Sequence, residues 1–297
     1  MPFLGDTRHG RFVLRYLASC STNYGRWDTM AYFCGARGVP VDAVRMEDGL
    51  WLIPGFLHED IPRSDLLMTP LIGAICGRHE DLALHLLALP AQDLDLNRCV
   101  DIDKTDLHLC AESGLTRLVK ELVRRGADFF LWGDMHHTSL RTAAMHAHLP
   151  LVRFHVKQYK ARGESELERA LYYPCGKEGF EYSLLGHVSG GFGNPNSLRH
   201  VATARYLVQE RRAGLWRPLK VHSYGTGAGK GALPILALPL HDAARHGSGE
   251  LLAFFIEECD MLVNRITTCL ELAPLHSLCM SRRDEAEVLR IVRFVSW

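Results

Sequence analysis

The feature that most constrains the fold is a short string that recurs along the chain. Pro-Leu-His follows Leu238 and again follows Ala273, 35 residues later. Related strings begin at Thr69, Thr105 and Thr138, with spacings of 36 and 33 residues. A period in this range predicts stacked supersecondary units, because a single unit of this size is too small to bury its own apolar face.

Each string has the residue types of a helix start. Thr69 suits the N-cap, and Pro70 suits the first helical position, where no N–H donor is needed. Thr105 and Thr138 are predicted to cap in the same way. A second helix, with one buried apolar stripe, is predicted after each start. The three clearest stripes are Leu115, Leu118, Val119, Leu122 and Val123; Leu151, Val152, His155, Val156 and Tyr159; and Leu251, Leu252, Phe255, Ile256 and Cys259.

These strings and helices resemble the ankyrin repeat family. The best copy runs from Asp103 to Asp128, and the next best runs from Leu238 to Asn264. In these copies Gly114 and Gly247 fall between the paired helices, where a tight turn favours glycine. The resemblance implies an all-α fold, an ankyrin-like α-solenoid of about five or six stacked helix-turn-helix repeats.

The chain departs from a regular repeat in several places. Residues 1–60 are predicted to form a degenerate N-terminal helical cap, and residues 61–297 to form the repeat stack. Insertions are predicted within the stack at about residues 160–181 and 211–235, where the helical pattern is interrupted.

One further helix pair is predicted between the insertions, with halves at about Tyr182–Val188 and Ser197–Glu210. The last predicted helix ends with apolar residues near Ile291, Phe294 and Trp297. A terminal repeat normally has a polar outer face. The sequence therefore predicts that this end is either truncated or covered through association with another chain.

Composition argues against several classes of protein. The 34 basic and 34 acidic residues give a net charge of zero, so general binding to nucleic acid is not implied. No stretch of 18 apolar residues occurs, so no membrane helix is expected. The nine cysteines include no Cys-x-x-Cys pair, and reduced thiols in an intracellular compartment, cytoplasmic or nuclear, are predicted.

Although the chain has sixteen histidines, their spacing predicts no metal site, and no cofactor is predicted. His146 and His148 are two residues apart, and such residues face apart on a helix. The family resemblance gives His108, His241 and His276 a structural role, in which each imidazole bonds neighbouring backbone and ties repeats together.

A candidate ligand-binding surface lies in the predicted loops between repeats, which the resemblance describes as projecting fingers. Its residues are Asp101, Asp103, Trp132, Asp134, His136 and His137. Carboxylates beside a Trp face suit an ammonium or guanidinium group, through ion pairing and a cation–π contact. The alternative is that these Asp side chains only bond their own turns. The surface predicts a basic protein or peptide as partner.

A candidate anion-binding surface lies in the second insertion. Its residues are Arg211, Arg212, Arg217, Lys220 and Lys230, with Trp216 and Tyr224 interleaved. Cations with aromatic residues can hold phosphates and stack bases, as an RNA site does. The alternative is a solvated loop with no ligand.

No catalytic motif is present, so the sequence identifies no catalytic residue. The sequence predicts a module that recognises a partner protein or peptide through the groove formed by the fingers and inner helices. The alternative is an enzyme on the same scaffold that joins or cyclises a cationic substrate, for instance from an aminoacyl-tRNA or a nucleotide-activated carrier. Such an enzyme should have ionisable groups with perturbed pKa values in an enclosed pocket.

Overall fold

The computed structural model of the protein describes residues 23–32, 69–89, 95–97, 104–131, 138–172, 183–189, 198–210, 215, 219–221, 235–264, 266, 273–279 and 285–295. The described residues are mostly helical, as predicted. The chain divides into two compact units, Met1–Asp134 and Met135–Trp297. Within the ranges described, no helix is both long enough and apolar enough to cross a membrane.

The residues described in the first unit form two helix pairs and one short helix. Its helices are α1 (Trp27–Met30), α2 (Pro70–Cys76), α3 (Glu80–Ala88), α4 (Asp106–Ser113) and α5 (Thr116–Arg124). Pair 1 consists of α2 and α3, and pair 2 consists of α4 and α5. The first helices of the two pairs contact each other, and so do the second helices.

The described part of the second unit forms four helix pairs and a short hairpin. Its elements are α6 (Ser139–Met145), α7 (Leu149–Arg162), α8 (Glu164–Tyr172), α9 (Leu184–Ser189), α10 (Leu198–Arg205), β1 (Leu219–Val221), β2 (Ile235–Ala237), α11 (Pro239–Arg245), α12 (Gly249–Ala253), α13 (Pro274–Cys279) and α14 (Glu285–Val295). Helices α10 and α12 continue as π-helical turns, at Tyr206–Glu210 and Phe254–Glu258 respectively.

The pairs of the second unit contact one another in chain order. Pair 3 is α6 with α7, pair 4 is α9 with α10, pair 5 is α11 with α12, and pair 6 is α13 with α14. The first helices contact in the order α6, α9, α11, α13. The second helices contact in the order α7, α10, α12, whereas α14 packs on α13 and makes little contact with α12.

The predicted apolar stripes form the core of each pair. Leu118, Val152 and Leu252, one from each stripe, are at most 2% exposed. The whole stripe of α7 is buried, including His155. Ile256 of α12's continuation is only half-buried. Val123 and Cys259 are half-buried as well, so the predicted stripes are confirmed in most of their residues. Each fully buried Leu or Val contributes about 1.5–3 kcal/mol.

The predicted helix caps are only partly confirmed. Thr69 Oγ1 accepts a hydrogen bond from the Ile72 N–H at 3.2 Å, as predicted. The Thr138 side chain makes no capping hydrogen bond to α6, so the prediction for this residue is wrong. The Thr142 hydroxyl instead donates to the Thr138 carbonyl at 3.4 Å, which closes the first turn of α6. At α4 the Thr105 hydroxyl lies 2.9 Å from His108 Nδ1.

In pairs 1, 2, 3 and 5, the turn between the two helices contains one residue in the left-handed conformation. This residue is Gly114 in pair 2 and Gly247 in pair 5, with φ of 80° and 66°. The same place is occupied by Arg78 in pair 1 and Ala147 in pair 3, with φ of 59° and 53°. The geometry is therefore shared, although only two of the four residues are glycines.

Two predictions about the insertions need correction. Residues 164–172, which were expected to be loop, form helix α8, whose Leu167 and Leu171 are buried. Residues 219–221, also expected to be loop, form strand β1, which pairs antiparallel with β2 so that Val221 lies opposite Ile235. This hairpin is an exception to the predicted all-α fold. The predicted helix pair between the insertions is confirmed as α9 and α10.

Candidate functional site

Most of the predicted site residues lie outside the described residues. This applies to the whole acidic and aromatic set, Asp101, Asp103, Trp132, Asp134, His136 and His137. It applies also to Arg211, Arg212, Arg217 and Lys230 of the basic set. Lys220 is described through its backbone alone, in strand β1. The two predicted surfaces therefore stay predictions.

The second unit does contain a set of polar residues at one equivalent position of its first helices. We call this set the polar row, and it consists of Thr142, His187, Asp242 and Ser277. The backbone N–H of each donates to the carbonyl oxygen of the residue four positions earlier, which is the residue that precedes each helix. These bonds measure 3.1 Å from Thr142 to Thr138, 3.1 Å from His187 to Ser183, 3.3 Å from Asp242 to Leu238 and 3.3 Å from Ser277 to Ala273.

The polar row is largely shielded from solvent. Thr142 is 8% exposed, His187 is 6% exposed and Asp242 is 2% exposed, while Ser277 is half-buried. Because α6, α9, α11 and α13 contact in that order, the row places one polar residue on each successive helix. Packed helix axes lie about 8–10 Å apart, so residues at one register position of adjacent helices can act on the same bound molecule.

The first unit does not share this feature. The backbone N–H of Gly73 in α2 and that of Leu109 in α4 make the same bond, to Thr69 at 2.8 Å and Thr105 at 3.2 Å. The position is thus apolar in the first unit and polar in the second. Helix packing alone does not require polar residues here, because the pairs of the first unit are formed without them.

Asp242 is the most unusual member of the row. Its Oδ2 atom is buried and has no hydrogen-bond partner among the residues described. Burial raises the pKa of this carboxyl from 3.8 to about 7, and the positive charge of Arg245 opposes that shift only weakly. A carboxyl with this pKa is poised to gain or lose a proton near neutral pH, as a general acid or base does.

The residues one position earlier on these helices have a different, structural role. His108 Nδ1 accepts a hydrogen bond from the Thr105 N–H at 3.2 Å. His241 and His276 accept the equivalent bonds from Leu238 and Ala273, at 3.3 Å and 3.0 Å. These bonds satisfy an N–H group at the helix start that would otherwise lack a partner. The prediction that the imidazoles bond neighbouring backbone is confirmed.

The same position is occupied in pair 3 by a buried arginine. Arg141 of α6 is 2% exposed and directly precedes Thr142 of the polar row. A buried guanidinium carries a positive charge that cannot be lost at any pH a protein tolerates. The first helices of the second unit, which contact one another in order, therefore carry a permanent cation (Arg141), a histidine (His187) and a titratable carboxyl (Asp242).

Three further histidines come together near the end of α6. His146 and His148 do not share a helix, since the left-handed residue Ala147 separates them, and their rings stack with centroids 6.2 Å apart. The expectation that they face apart is therefore wrong. His200 of α10 lies with Nε2 3.3 Å from the Met145 carbonyl, and burial lowers its pKa. Among the described residues, no group of three or more His, Cys, Asp or Glu could hold a metal ion.

The polar row was missed in the sequence because its members are about 35–55 residues apart. A signal was nevertheless present. When the segments are aligned on the residue that precedes each first helix, the fourth residue after it is polar in each of pairs 3 to 6. No known family model matches the chain, and no curated protein is significantly similar to it.

Proposed function

We propose that the protein is a recognition module, built as an ankyrin-like α-solenoid, that binds a partner protein or peptide along its first helices and the loops that precede them. The observation that carries this proposal is the ordered contact of first helix on first helix within each unit. Such an arrangement presents a preorganised surface, and preorganisation lowers the entropic cost of binding. The imidazole bonds at His108, His241 and His276 support the comparison with ankyrin repeats.

The proposed partner is basic. Asp101, Asp103, Asp134 and Trp132 supply carboxylates and an aromatic face, which together suit Arg and Lys side chains. His136 and His137 follow Asp134 in the sequence.

The experiment is a binding titration with a fluorescently labelled Arg- and Lys-rich peptide and the full chain. The double substitution Trp132→Ala with Asp134→Ala is expected to weaken binding about tenfold or more, since charge-assisted bonds contribute roughly 1.5–3 kcal/mol each. A matched control is Trp27→Ala with Asp28→Ala, an exposed Trp and Asp in α1. Equal affinity of the wild type and the first double variant would remove the proposal.

Asp242 favours a second candidate function, an enzyme on the same scaffold. A buried carboxyl with its pKa raised to about 7 is what a general acid or base requires. His187 and Thr142 occupy the equivalent positions of neighbouring first helices. The reaction class is the joining or cyclising of a cationic substrate, delivered by an aminoacyl-tRNA or a nucleotide-activated carrier. The basic set that includes Arg211, Lys220 and Lys230 would hold the phosphates of that carrier.

The two candidates are distinguished by a search for product. The full chain is incubated with bulk aminoacyl-tRNA, and separately with ATP and amino acids, and small products are followed by mass spectrometry. If the enzyme proposal is right, Asp242→Asn loses the product while Lys220→Ala with Lys230→Ala weakens carrier binding and reduces its dependence on salt. If no product forms in either mixture, the enzyme proposal fails and the recognition proposal is unaffected.

A further inference from the structure

A groove of about 310 Å³ lies between the second helices of pairs 5 and 6. Helix α12 forms one wall, with Gly249, Glu250 and Ala253. Helix α14 forms the other wall, with Arg290 and Ile291. The groove is on the second helices, so it is separate from the polar row on the first helices.

Two other couples of neighbouring second helices are joined by ion pairs. Helices α3 and α5 are joined by Glu80 and Arg117, with Arg117 Nε 2.9 Å from Glu80 Oε2. Helix α10 is joined to the continuation of α12 by Arg205 and Glu258, with Arg205 Nε 2.9 Å from Glu258 Oε2. Between α12 and α14, by contrast, the described residues form no ion pair, and the groove occupies the space.

Glu250 and Arg290 both line this groove, but they do not form an ion pair with each other. Glu250 Oε2 is buried and lacks any hydrogen-bond partner in the described part of the chain. Arg290, on the opposite wall, is exposed and forms no ion pair within that same part. A desolvated carboxylate oxygen without a donor costs about 1–3 kcal/mol or more, so a ligand that supplies a donor there would be favoured.

The remaining lining residues leave room and provide apolar surface. Ile291 is 2% exposed and lies with Ala253 along the groove. A Cβ atom added at Gly249 would lie 3.6 Å from Arg290 Nη2 and from Ile291 Cγ1, which is ordinary contact distance. Packing therefore does not demand glycine at this position. Glycine in a helix is less favourable than alanine by about 1 kcal/mol, and its presence enlarges the groove.

We propose that this groove binds a small zwitterion of amino-acid size. The cationic amine of the ligand pairs with Glu250, and its carboxylate pairs with the guanidinium of Arg290. The carbon chain between the two charges lies over Ala253 and Ile291. The volume of the groove is at the lower end of the range for small-molecule sites, about 300–1,000 Å³, which matches a ligand of this size.

The test is a calorimetric titration of the full chain with straight-chain amino acids of increasing length: glycine, β-alanine, 4-aminobutyrate and 6-aminohexanoate. Because the two charged groups are on helices of fixed spacing, one length is expected to bind best. The N-acetyl and the carboxamide derivatives of that compound each lack one charge and are expected to bind about tenfold more weakly or worse.

Substitutions then assign the binding to the groove. Glu250→Gln and Arg290→Gln are each expected to weaken binding about tenfold or more, and Ala253→Leu is expected to weaken it by filling the groove. Glu257→Gln and Arg293→Gln are matched controls, since both residues are exposed and follow Glu250 and Arg290 on the same helical segments. Far-ultraviolet circular dichroism checks that every variant is folded.

Two outcomes would overturn the proposal. One is the absence of saturable binding by every member of the series up to about 10 mM, a concentration at which a site of weak affinity still fills. The other is binding that Glu250→Gln, Arg290→Gln and Ala253→Leu leave unchanged while all variants remain folded. Neither outcome bears on recognition through the first helices.

Discussion

Glu80 and Arg117, which belong to adjacent helix pairs, are joined through both the side chain and the backbone of the arginine. Glu80 Oε1 accepts a hydrogen bond from the Arg117 N–H at 2.7 Å, and its Oε2 accepts another from Arg117 Nε at 2.9 Å. Oε1 also accepts from the Leu118 N–H at 3.0 Å. Leu115, which precedes α5, has no side-chain acceptor for these groups. Helix α5 is therefore capped by a residue of the neighbouring pair.

The first prediction concerns this cap. Glu80→Ala is expected to lower the free energy of unfolding by about 1–2 kcal/mol, because it leaves two N–H groups at the helix start without a protein acceptor. Asp81→Ala is the control. Its side chain is 73% exposed and contacts only the guanidinium of Arg117, so a loss of about 0.5 kcal/mol or less is expected.

The measurement is urea unfolding of the full chain and of both variants. A loss for Asp81→Ala that equals the loss for Glu80→Ala would show that the ion pair, and not the backbone capping, joins the two pairs. Glu80→Gln keeps a neutral acceptor and is expected to fall between the wild type and Glu80→Ala.

The second prediction compares one hydrogen bond at two levels of burial. His241 is 2% exposed, whereas His276 is exposed, yet both accept a bond from the N–H of the residue three positions earlier. His241→Leu strands a buried donor, so a loss of about 1–3 kcal/mol is expected. At His276 water replaces the lost acceptor, and His276→Leu is expected to cost about 0.5 kcal/mol or less.

Chemical denaturation measures both losses. His241→Asn can place an amide oxygen near the Leu238 N–H, and it is expected to recover part of the stability lost in His241→Leu. Equal losses for His241→Leu and His276→Leu would mean that packing of the ring, and not its hydrogen bond, stabilises the helix start.

The third prediction concerns pH. The pKa of Asp242 is about 7 in the folded protein, above its ordinary value of 3.8, because burial disfavours the charged form. The folded state therefore binds this proton more tightly than the unfolded state. Stability from the neutral carboxyl is fully present below about pH 4 and is lost as the pH rises through about 7. Asp242→Asn removes this dependence.

The comparison is made by urea unfolding of the wild type and Asp242→Asn at several pH values. The stability of Asp242→Asn relative to the wild type is expected to increase by roughly 3 kcal/mol between about pH 5 and pH 8. All other ionisable groups are the same in both proteins, so their contributions largely cancel in the difference. A difference that does not change with pH would contradict a buried, protonated carboxyl. Glu257→Gln, at an exposed acid, is expected to show no such trend.

The fourth prediction concerns the left-handed residue of pair 3. Ala147 has φ of 53°, a conformation that costs a non-glycine residue about 1–2 kcal/mol. Ala147→Gly relieves this cost and is therefore expected to raise the melting temperature. The net gain in the free energy of unfolding is about 1 kcal/mol, because Gly loses more chain entropy than Ala on folding. Ala143→Gly, within helix α6, is the control and is expected to destabilise. A loss of stability in Ala147→Gly would contradict the assigned turn.

The helix pairs could be predicted because their apolar stripes follow the period of the helix, which is a local property of the sequence. The copies that begin at Thr69 and Thr138 were harder to recognise than the copy at Thr105. One reason is visible in the turns, where Arg78 and Ala147 adopt the conformation that glycine adopts elsewhere. Stacking holds these residues in a conformation that their types disfavour, and a sequence pattern does not reveal it.

The candidate site was less accessible to prediction. A single Asp at position 242 is an ordinary residue in a helix, and its raised pKa depends on burial by neighbouring elements. The groove beside Glu250 likewise depends on the separation between α12 and α14, which is set by packing. Helix α8 was missed because its stripe has only two buried residues, Leu167 and Leu171.

The pairing of β1 with β2 has a practical consequence for protein engineering. Val221 lies opposite Ile235, so the two ends of the segment 222–234 are held at adjacent points of the hairpin. The segment between the two strands can therefore be exchanged as a unit. Exchanging residues 222–234 for a two-residue Asn-Gly turn would preserve the strand register at its base, and would leave Ala237 positioned to lead into α11.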